Sequence, residues 1–419
     1  MRRLAVEEFS VIRDAKFDFS GINVIIGPQA TGKSLLCKLA YFFLDIASAA
    51  VDAISDEVSL DDFSQQAKVR FMGWFPCDSW GKKKFKIEYQ QGSFGASVVR
   101  TSRSGTVGTS IRLWLSPQFR EAYESALDQV RVFNQKVTSR RSSEDAIPLW
   151  QVRDLARKRI RSMFKEQSEI QTYIPAGRAF FTTYSKAISV FKGNSLDPIT
   201  ERFGATMERI LDGRGYLPPR EVRSLRVFNE TRDRILKGHL KIKRGVPSFE
   251  SEDGRTLSLS HLSSGTQEVL PLLSSLQQAL SGLPGRTIYA EEPEVHLFPN
   301  AQVELVKLFS WMARAHRYKS CWVITTHSPY ILTAFNDLIK AGQAAKASPS
   351  REAEIDKIVG KQFWIPQGEF GAFAFDGNDG ILKRIIEDDT GLIDGDVLDD
   401  VSSTIGSEFE RLLEIQYGE

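Results

Sequence analysis

Cysteine is scarce in this chain: three in 419 residues, Cys37, Cys77 and Cys321, widely spaced and odd in number. That argues against a disulfide framework and against a C-x-x-C metal site, and it predicts reduced thiols in a cytoplasmic setting. No run of about 18 apolar residues occurs, and the opening Met-Arg-Arg-Leu-Ala-Val-Glu-Glu lacks the apolar core of a signal peptide. A soluble protein without a membrane partner is therefore expected. The absence of internal repeats, low-complexity segments and heptad runs argues against a repeat array or a long coiled coil. Charge of neither sign is in real excess, since 55 Lys and Arg against 53 Asp and Glu leave a net +2, too little to name a partner. The remainder is globular in composition, 42% hydrophobic and 26% charged, and long enough for two or three domains.

Against that background one stretch carries chemistry. Gly27-Pro-Gln-Ala-Thr-Gly32-Lys33-Ser34 fits G-x-x-x-x-G-K-[ST], with an apolar strand at Ile22–Ile26 before it and a helix from Leu35 to about Ala49 after it. A glycine-rich turn between strand and helix lets backbone N–H groups close around phosphate oxygens, while the positive end of the helix dipole faces the anion. Lys33, expected exposed on the loop, would reach the β- and γ-phosphates of a nucleotide, and Ser34 would ligate Mg²⁺. Gly27 and Gly32 belong to the same cradle.

On either side of this centre the chain alternates between strand and helix patterns. Residues 1–20 give two short strands feeding the phosphate-loop strand and forming the edge of a nucleotide lobe. Residues 56–68 read as polar loop, and Val69–Phe75, Lys84–Tyr89, Gly95–Thr101 and Ser110–Leu115 as four strands of an antiparallel patch. From Ser116-Pro117 the pattern turns helical, with Phe119, Tyr123, Ala126, Leu127, Val130, Phe133 and Val137 at helical spacing. A second helix spans about Trp150–Gln167 and carries Arg153, Arg157, Lys158, Arg159, Arg161 and Lys165, with Arg131, Lys136, Arg140 and Arg141 nearby. Such a cluster suits a nucleic-acid phosphate backbone or, equally, a solvated face.

Further on, Tyr173–Arg178 reads as a strand entering a turn. Helices are expected at Ser185–Phe191, Pro198–Leu211 and Asn229–Lys237, and strands at His239–Lys243, Val246–Glu250 and Leu257–Leu259. Leu262-Ser-Ser-Gly265-Thr-Gln-Glu268 opens a helix to about Leu280, interrupted by Pro271. Thr287–Glu292 is an apolar strand ending in two carboxylates, the form of a Walker B element: Glu291 would hold Mg²⁺ through water and Glu292 would polarise the attacking water. Pro299–Ala315 is an amphipathic helix. Cys321–Thr326 is a strand closed by His327-Ser328-Pro329, where Ser328 and Pro329 can cap the next helix, and His327 sits at the carboxyl end of the strand, where α/β sheets place ligands.

In this order the phosphate loop, L-S-S-G-T-Q-E, E-E-P-E-x-H-L-x-P and T-H-S-P resemble the ATPase heads of the ABC superfamily. Within it they are most similar to the branch of RecF, the structural-maintenance-of-chromosomes proteins and the OLD-family ATPases of bacterial anti-phage defence. The resemblance covers residues 1–50 and 255–335 well and the segment between loosely. It implies an α/β P-loop NTPase head of ABC type, a mixed sheet flanked by helices plus an antiparallel β patch, with a helical insert: residues 1–115 and 216–419 forming the head and 116–215 the insert. It further implies that two heads sandwich ATP as a homodimer or higher homo-oligomer. Ser263 and Gly265 would then touch the γ-phosphate held by the partner, with Glu292 as catalytic carboxylate and His327 as the switch histidine.

Three departures accompany the resemblance. Glu291 stands where many relatives have aspartate; the family's Q-loop glutamine is open among Gln90, Gln91 and Gln171; and the insert lacks a long coiled coil and a cysteine hook. Asp394-Gly-Asp396 matches a Toprim metal pair only superficially, because the preceding residues are too short and polar for a central strand. The tail reads instead as strands Gln362–Ile365 and Gly371–Phe375 and helices around Ile381–Ile386 and Val397–Gln416, with an acidic run from Glu387 to Asp400. The function expected is an ABC-type ATPase serving as sensor or scaffold in anti-phage defence with a separate nuclease or toxin effector, the alternative being a RecF-like repair ATPase that clamps DNA.

Overall fold

The computed structural model of the chain describes residues 2–101, 110–139, 149–164, 170–183, 196–213, 222–243, 245–280, 286–315, 320–377, 379–394 and 411. Strands β1 (Arg2–Phe9), β2 (Ile12–Asp18) and β3 (Ile22–Ile26) precede helices α1 (Lys33–Ser55) and α2 (Leu60–Trp74). Strands β4 (Lys86–Gln91), β5 (Phe94–Arg100) and β6 (Ile111–Leu115) lead to α3 (Pro117–Ser139) and α4 (Leu149–Arg161). Next come β7 (Gln171–Ile174), α5 (Ala179–Thr183), α6 (Pro198–Leu211) and α7 (Val222–Leu236), then β8 (Gly238–Lys243), β9 (Val246–Ser251) and β10 (Thr256–Leu257). The remaining elements are α8 (Ser264–Leu280), β11 (Thr287–Glu291), α9 (Pro299–Ala315), β12 (Cys321–Thr326), α10 (Pro329–Ala347), α11 (Glu352–Ile358), β13 (Phe370–Phe375) and β14 (Leu382–Arg384).

A six-stranded sheet in the order β14-β13-β3-β12-β11-β7 positions the site. Its strands run parallel except β14, which pairs antiparallel with β13 at the edge. Both faces are covered, and strand alternation sorts the side chains between them. Ile25, Tyr289, Val323 and Phe373 point into one apolar cluster with α1 and the antiparallel sheet, while Val24, Ile288, Trp322 and Ile324 point into the other, with α8, α9 and α10. The five-stranded antiparallel sheet, β2-β1-β4-β5-β6, takes β1 and β2 as two of its strands, and β8, β9 and β10 form a small third sheet.

Helix α1 lies between the two larger sheets. It is long and apolar enough by composition to cross a membrane, yet its apolar residues pack into the core instead. Its buried acid, Asp45, is held by Arg70 at 3.0 Å and by Arg202 at 2.5 Å, which fastens α2 and α6 to it.

Several expected elements fold differently. The stretch read as loop at 56–68 and strand at Val69–Phe75 is α2, started by Ser59, whose hydroxyl accepts from the Asp62 N–H at 3.1 Å. Its buried residues Leu60, Phe63, Ala67 and Phe71 fall on one helical stripe, and Val69 is exposed. The helix expected at Asn229–Lys237 begins earlier, at Val222. In the tail, the expected strand Gln362–Ile365 is a 3₁₀ turn at Lys361–Phe363, and the expected helix Ile381–Ile386 is β14. There the Asp379 side chain accepts from the Ile381 N–H at 2.8 Å, and Phe375 then pairs with Leu382, so the chain reverses as a hairpin before a helical turn can form. The helices expected at Ser185–Phe191 and Val397–Gln416 lie outside the described residues, except Arg411. Helix α8 runs through Pro271, which is buried, at the cost of one internal hydrogen bond.

Candidate functional site

The strand order explains how residues 27 to 34 meet residues almost 300 positions later. β3, β12 and β11 are neighbours in parallel register, so the segments leaving their carboxyl ends converge: the phosphate loop after β3, His327 after β12 and Glu292 after β11. A cleft of about 410 Å³ is lined there by Ser10, Val11, residues 29–35, Glu292 and His327.

Within the loop, Gly32 is the residue before α1 and has φ 107°, a left-handed conformation open to glycine; a Cβ there would come within 2.7 Å of Ile12. Lys33 is not exposed as expected but is the first residue of α1, at 5% exposure, because its side chain folds back over its own loop. Its Nζ donates to the Gly27 carbonyl at 2.7 Å and the Pro28 carbonyl at 2.6 Å. Burial pulls the ammonium below the ordinary lysine range, opposed by the charges of Glu292 and Glu294. The first turn of α1 contains no acid, which leaves its positive end to an anion. Ser34 is half-buried at the same cleft.

The two adjacent acids differ in surroundings. Glu291 is buried, and both its oxygens are engaged: Oε1 accepts from the Tyr173 hydroxyl at 2.5 Å and Oε2 from the Ala176 N–H at 3.2 Å. Burial, with Glu291 adding to it, pushes the Tyr173 hydroxyl well above its usual range, so it stays a donor. Glu292 is half-exposed on the cleft, its Oε1 3.2 Å from His327 Nε2. Its backbone is left-handed at φ 42°, and its N–H donates to the Thr325 carbonyl at 2.9 Å. Glu294, to which the sequence pattern assigned no role, fixes the histidine from below: Oε1 accepts from Thr326 Oγ1 at 2.6 Å and from the His327 N–H at 2.8 Å, while Oε2 is buried without a partner among the described residues. Its signal was the third acid of E-E-P-E.

Ser263 and Gly265 line a different cleft, with Arg234, Lys237, His296 and Phe298. Ser263 is exposed just before α8, its Oγ 2.9 Å from Thr266 Oγ1. Gly265 passes so close to the turn after β11 that a Cβ would stand 2.9 Å from the His296 carbonyl. None of Gln90, Gln91 and Gln171 lines the Lys33 cleft; Gln171 donates to the Tyr41 carbonyl at 2.8 Å and Gln90 to that of Gly92 at 2.9 Å. Pro329 begins α10 as expected, but the Ser328 hydroxyl donates to Gln302 Oε1 at 2.6 Å and makes no cap. Asp394 donates its N–H to the Ile385 carbonyl at 2.9 Å, and Asp396 lies outside the described residues.

On α4, Val152, Ala156 and Ile160 are buried, while Arg153, Arg157, Lys158 and Arg159 are exposed. Two of these cations have acidic neighbours: Arg153 reaches Asp52 at 3.3 Å, and Lys158 reaches Asp154 at 2.7 Å. Arg140, Arg141 and Lys165 lie outside the described residues.

A mixed sheet with a phosphate loop, paired acids and a histidine at adjoining strand ends, backed by an antiparallel sheet across the loop's helix, defines a P-loop NTPase domain. The chain belongs to the family described as "AAA domain, putative AbiEii toxin, Type IV TA system", whose profile matches residues 22–333. Among solved structures it is similar to the SMC head domain from Thermotoga maritima, at 11% identity over 91% of this chain and 97% of that one, with a TM-score of 0.38. It is similar too to an SmcHead bound to the C-winged helix domain of ScpA, at 12% identity over 91% and 96% of the two chains with a TM-score of 0.43. A third is an Smc head domain with an extended coiled coil, bound to the C-terminal domain of ScpA derived from Pyrococcus furiosus, at 9% identity over 92% and 96% with a TM-score of 0.38. No curated protein matches the sequence.

Proposed function

We propose that this chain binds Mg²⁺–ATP in the Lys33 cleft and hydrolyses it between two heads, the Ser263–Gly265 loop of each closing on the nucleotide of the other. The observation that carries this reading is the convergence of Lys33, Ser34, Glu292 and His327 on one cleft while Ser263 and Gly265 stand apart on a second. Lys33 suits a triphosphate because, among the described residues, its desolvated ammonium has only neutral carbonyls as hydrogen-bond partners, and an anion would satisfy it better. For the metal, no group of three or more His, Cys, Asp or Glu gathers among the described residues. Mg²⁺ would be held mainly by phosphate and water, with Ser34 as the direct protein ligand. Glu291, already bonded through both oxygens, would act on it through water. When bound, the metal supplies neutralisation of phosphate charge. Glu292 would then accept the proton of the attacking water, and His327, 3.2 Å from its carboxylate, would sense the γ-phosphate.

As to role, the family description names a toxin of a type IV toxin–antitoxin system. That name supports a defence setting, and within it our reading is a sensor or scaffold ATPase of the cytoplasm that works with a separate nuclease or toxin subunit. The three cysteines, all free, suit that compartment. A RecF-like clamp on DNA draws instead on the exposed cations of α4. Phosphate release by the purified chain with Mg²⁺ and ATP is the first test, and the reading expects turnover that vanishes with EDTA. A chain that neither binds nor hydrolyses ATP overturns it.

A further inference from the structure

One buried cation connects the two clefts. Arg178 follows β7 in the turn Pro175-Ala176-Gly177 and is fully buried. Its guanidinium spans three segments. Nη1 donates to the carbonyls of Pro175 at 2.9 Å and Glu291 at 2.7 Å; Nη2 donates to the carbonyl of Glu292 at 3.1 Å; Nε donates to the carbonyl of Glu268 at 3.1 Å. Glu268 lies on α8, one turn beyond Ser263–Gly265, and is itself buried. Its carboxylate completes the junction by accepting the backbone N–H groups of Arg178 at 2.9 Å and Ala179 at 3.1 Å, with Oε2 3.5 Å from Arg178 Nε. The same turn bears Ala176, whose N–H holds the Glu291 carboxylate.

A guanidinium is planar and rigid, so its bonds to α8 and to the Glu291 and Glu292 carbonyls cannot adjust independently. The Glu292 carbonyl belongs to a residue in the left-handed region at φ 42°, a conformation that persists because its surroundings impose it. A shift of α8 on engagement of the signature loop would therefore be delivered to the backbone that aims the Glu292 carboxylate. We propose that Arg178, held by Glu268, is a positioning residue that transmits the position of the signature helix to Glu292, so that occupancy of the Ser263–Gly265 loop sets the hydrolytic geometry of the same head. The inference rests on the two-headed ATPase reading above. It concerns the step after binding, because Arg178 does not line the Lys33 cleft.

The test compares the unmodified chain with Arg178→Lys and Glu268→Gln. The second variant keeps size and an acceptor oxygen, and it guards against a first that fails to fold. Binding stoichiometry and Kd are measured with a non-hydrolysable ATP analogue, and turnover is expressed per bound head. The expected result is a fall in kcat of about 10-fold or more, with Kd and the bound fraction within about 2-fold. Combined with Glu292→Gln, either variant should add little further loss, since residues acting through one group are not additive. Turnover per bound head that is unchanged, or a loss that multiplies fully with that of Glu292→Gln, overturns the proposal and leaves the ATPase reading standing. Absence of binding and turnover in the unmodified chain overturns both.

Discussion

The cleft around Lys33 sets a cation withdrawn from water beside a half-exposed carboxylate, whereas the cleft around Ser263 is lined by the hydroxyls of Ser263 and Thr266, by Gly265, and by Arg234, Lys237 and Glu304. In the first, a desolvated ammonium, a helix N-terminus and a half-exposed carboxylate converge within one chain, as the proposed grip on a triphosphate requires. In the second, Ser263 is exposed, Gly265 lies within van der Waals reach of His296, and Phe298 stands 76% exposed. An exposed hydroxyl and a glycine hold little of a ligand alone but can complete the grip on one presented from outside. The contrast is that of a site with its complement, and it predicts that damage to the two clefts will be felt differently.

Lys33→Ala should be the most severe change. Removing the buried ammonium is expected to weaken ATP binding by at least about 100-fold, roughly 3 kcal/mol, with the fold retained. Titration calorimetry checks it, and unchanged affinity removes the basis for the first cleft. Glu292→Gln comes next: kcat should drop by about 10²- to 10⁴-fold, the range of a lost general base, while Kd for ATP moves by about 2-fold or less. Gly265→Val sharpens the comparison from the other side. Its branched side chain meets the His296 carbonyl, so turnover should fall by about 10-fold or more while each head binds ATP as before. If binding falls in step with turnover, the two clefts are not separate in function. Smallest of all, Arg157→Glu with Arg159→Glu on the exposed face of α4 should shift stability by no more than about 0.5 kcal/mol and leave turnover unchanged. Any nucleic acid held there would lose about one unit of log–log salt slope per charge removed.

Much of the site was legible because its signals are local. A strand, a glycine turn and a helix announce the phosphate loop from within some thirty residues, and β11 and β12 announce themselves as short apolar runs with chemistry at their ends. Strand order was not legible. Nothing within β12 states that it lies between β3 and β11, and that placement is what brings His327 to Glu292. Arg178 escaped for the same reason, since an arginine in a turn looks solvated until its partners on α8 and after β11 are known. Glu268 looks in the sequence like one more member of the signature stretch, although it caps the chain at Arg178 and Ala179. Helix α2 is hard to see in the sequence because its buried stripe is sparse and its other residues are polar, so the helical period hides among residues that also suit a loop.

ATP in the Lys33 cleft of one head is proposed to be closed over by the Ser263–Gly265 loop of a second head, so that nucleotide joins the two. Light scattering of Glu292→Gln with and without Mg²⁺–ATP tests it most directly, together with the same variant carrying Ser263→Arg. A head that binds without hydrolysing should accumulate as a closed dimer of about twice the mass when ATP is present. The added arginine should return it to the monomer by filling the space where the partner's γ-phosphate must enter. A mass that ignores both ATP and Ser263 contradicts the account.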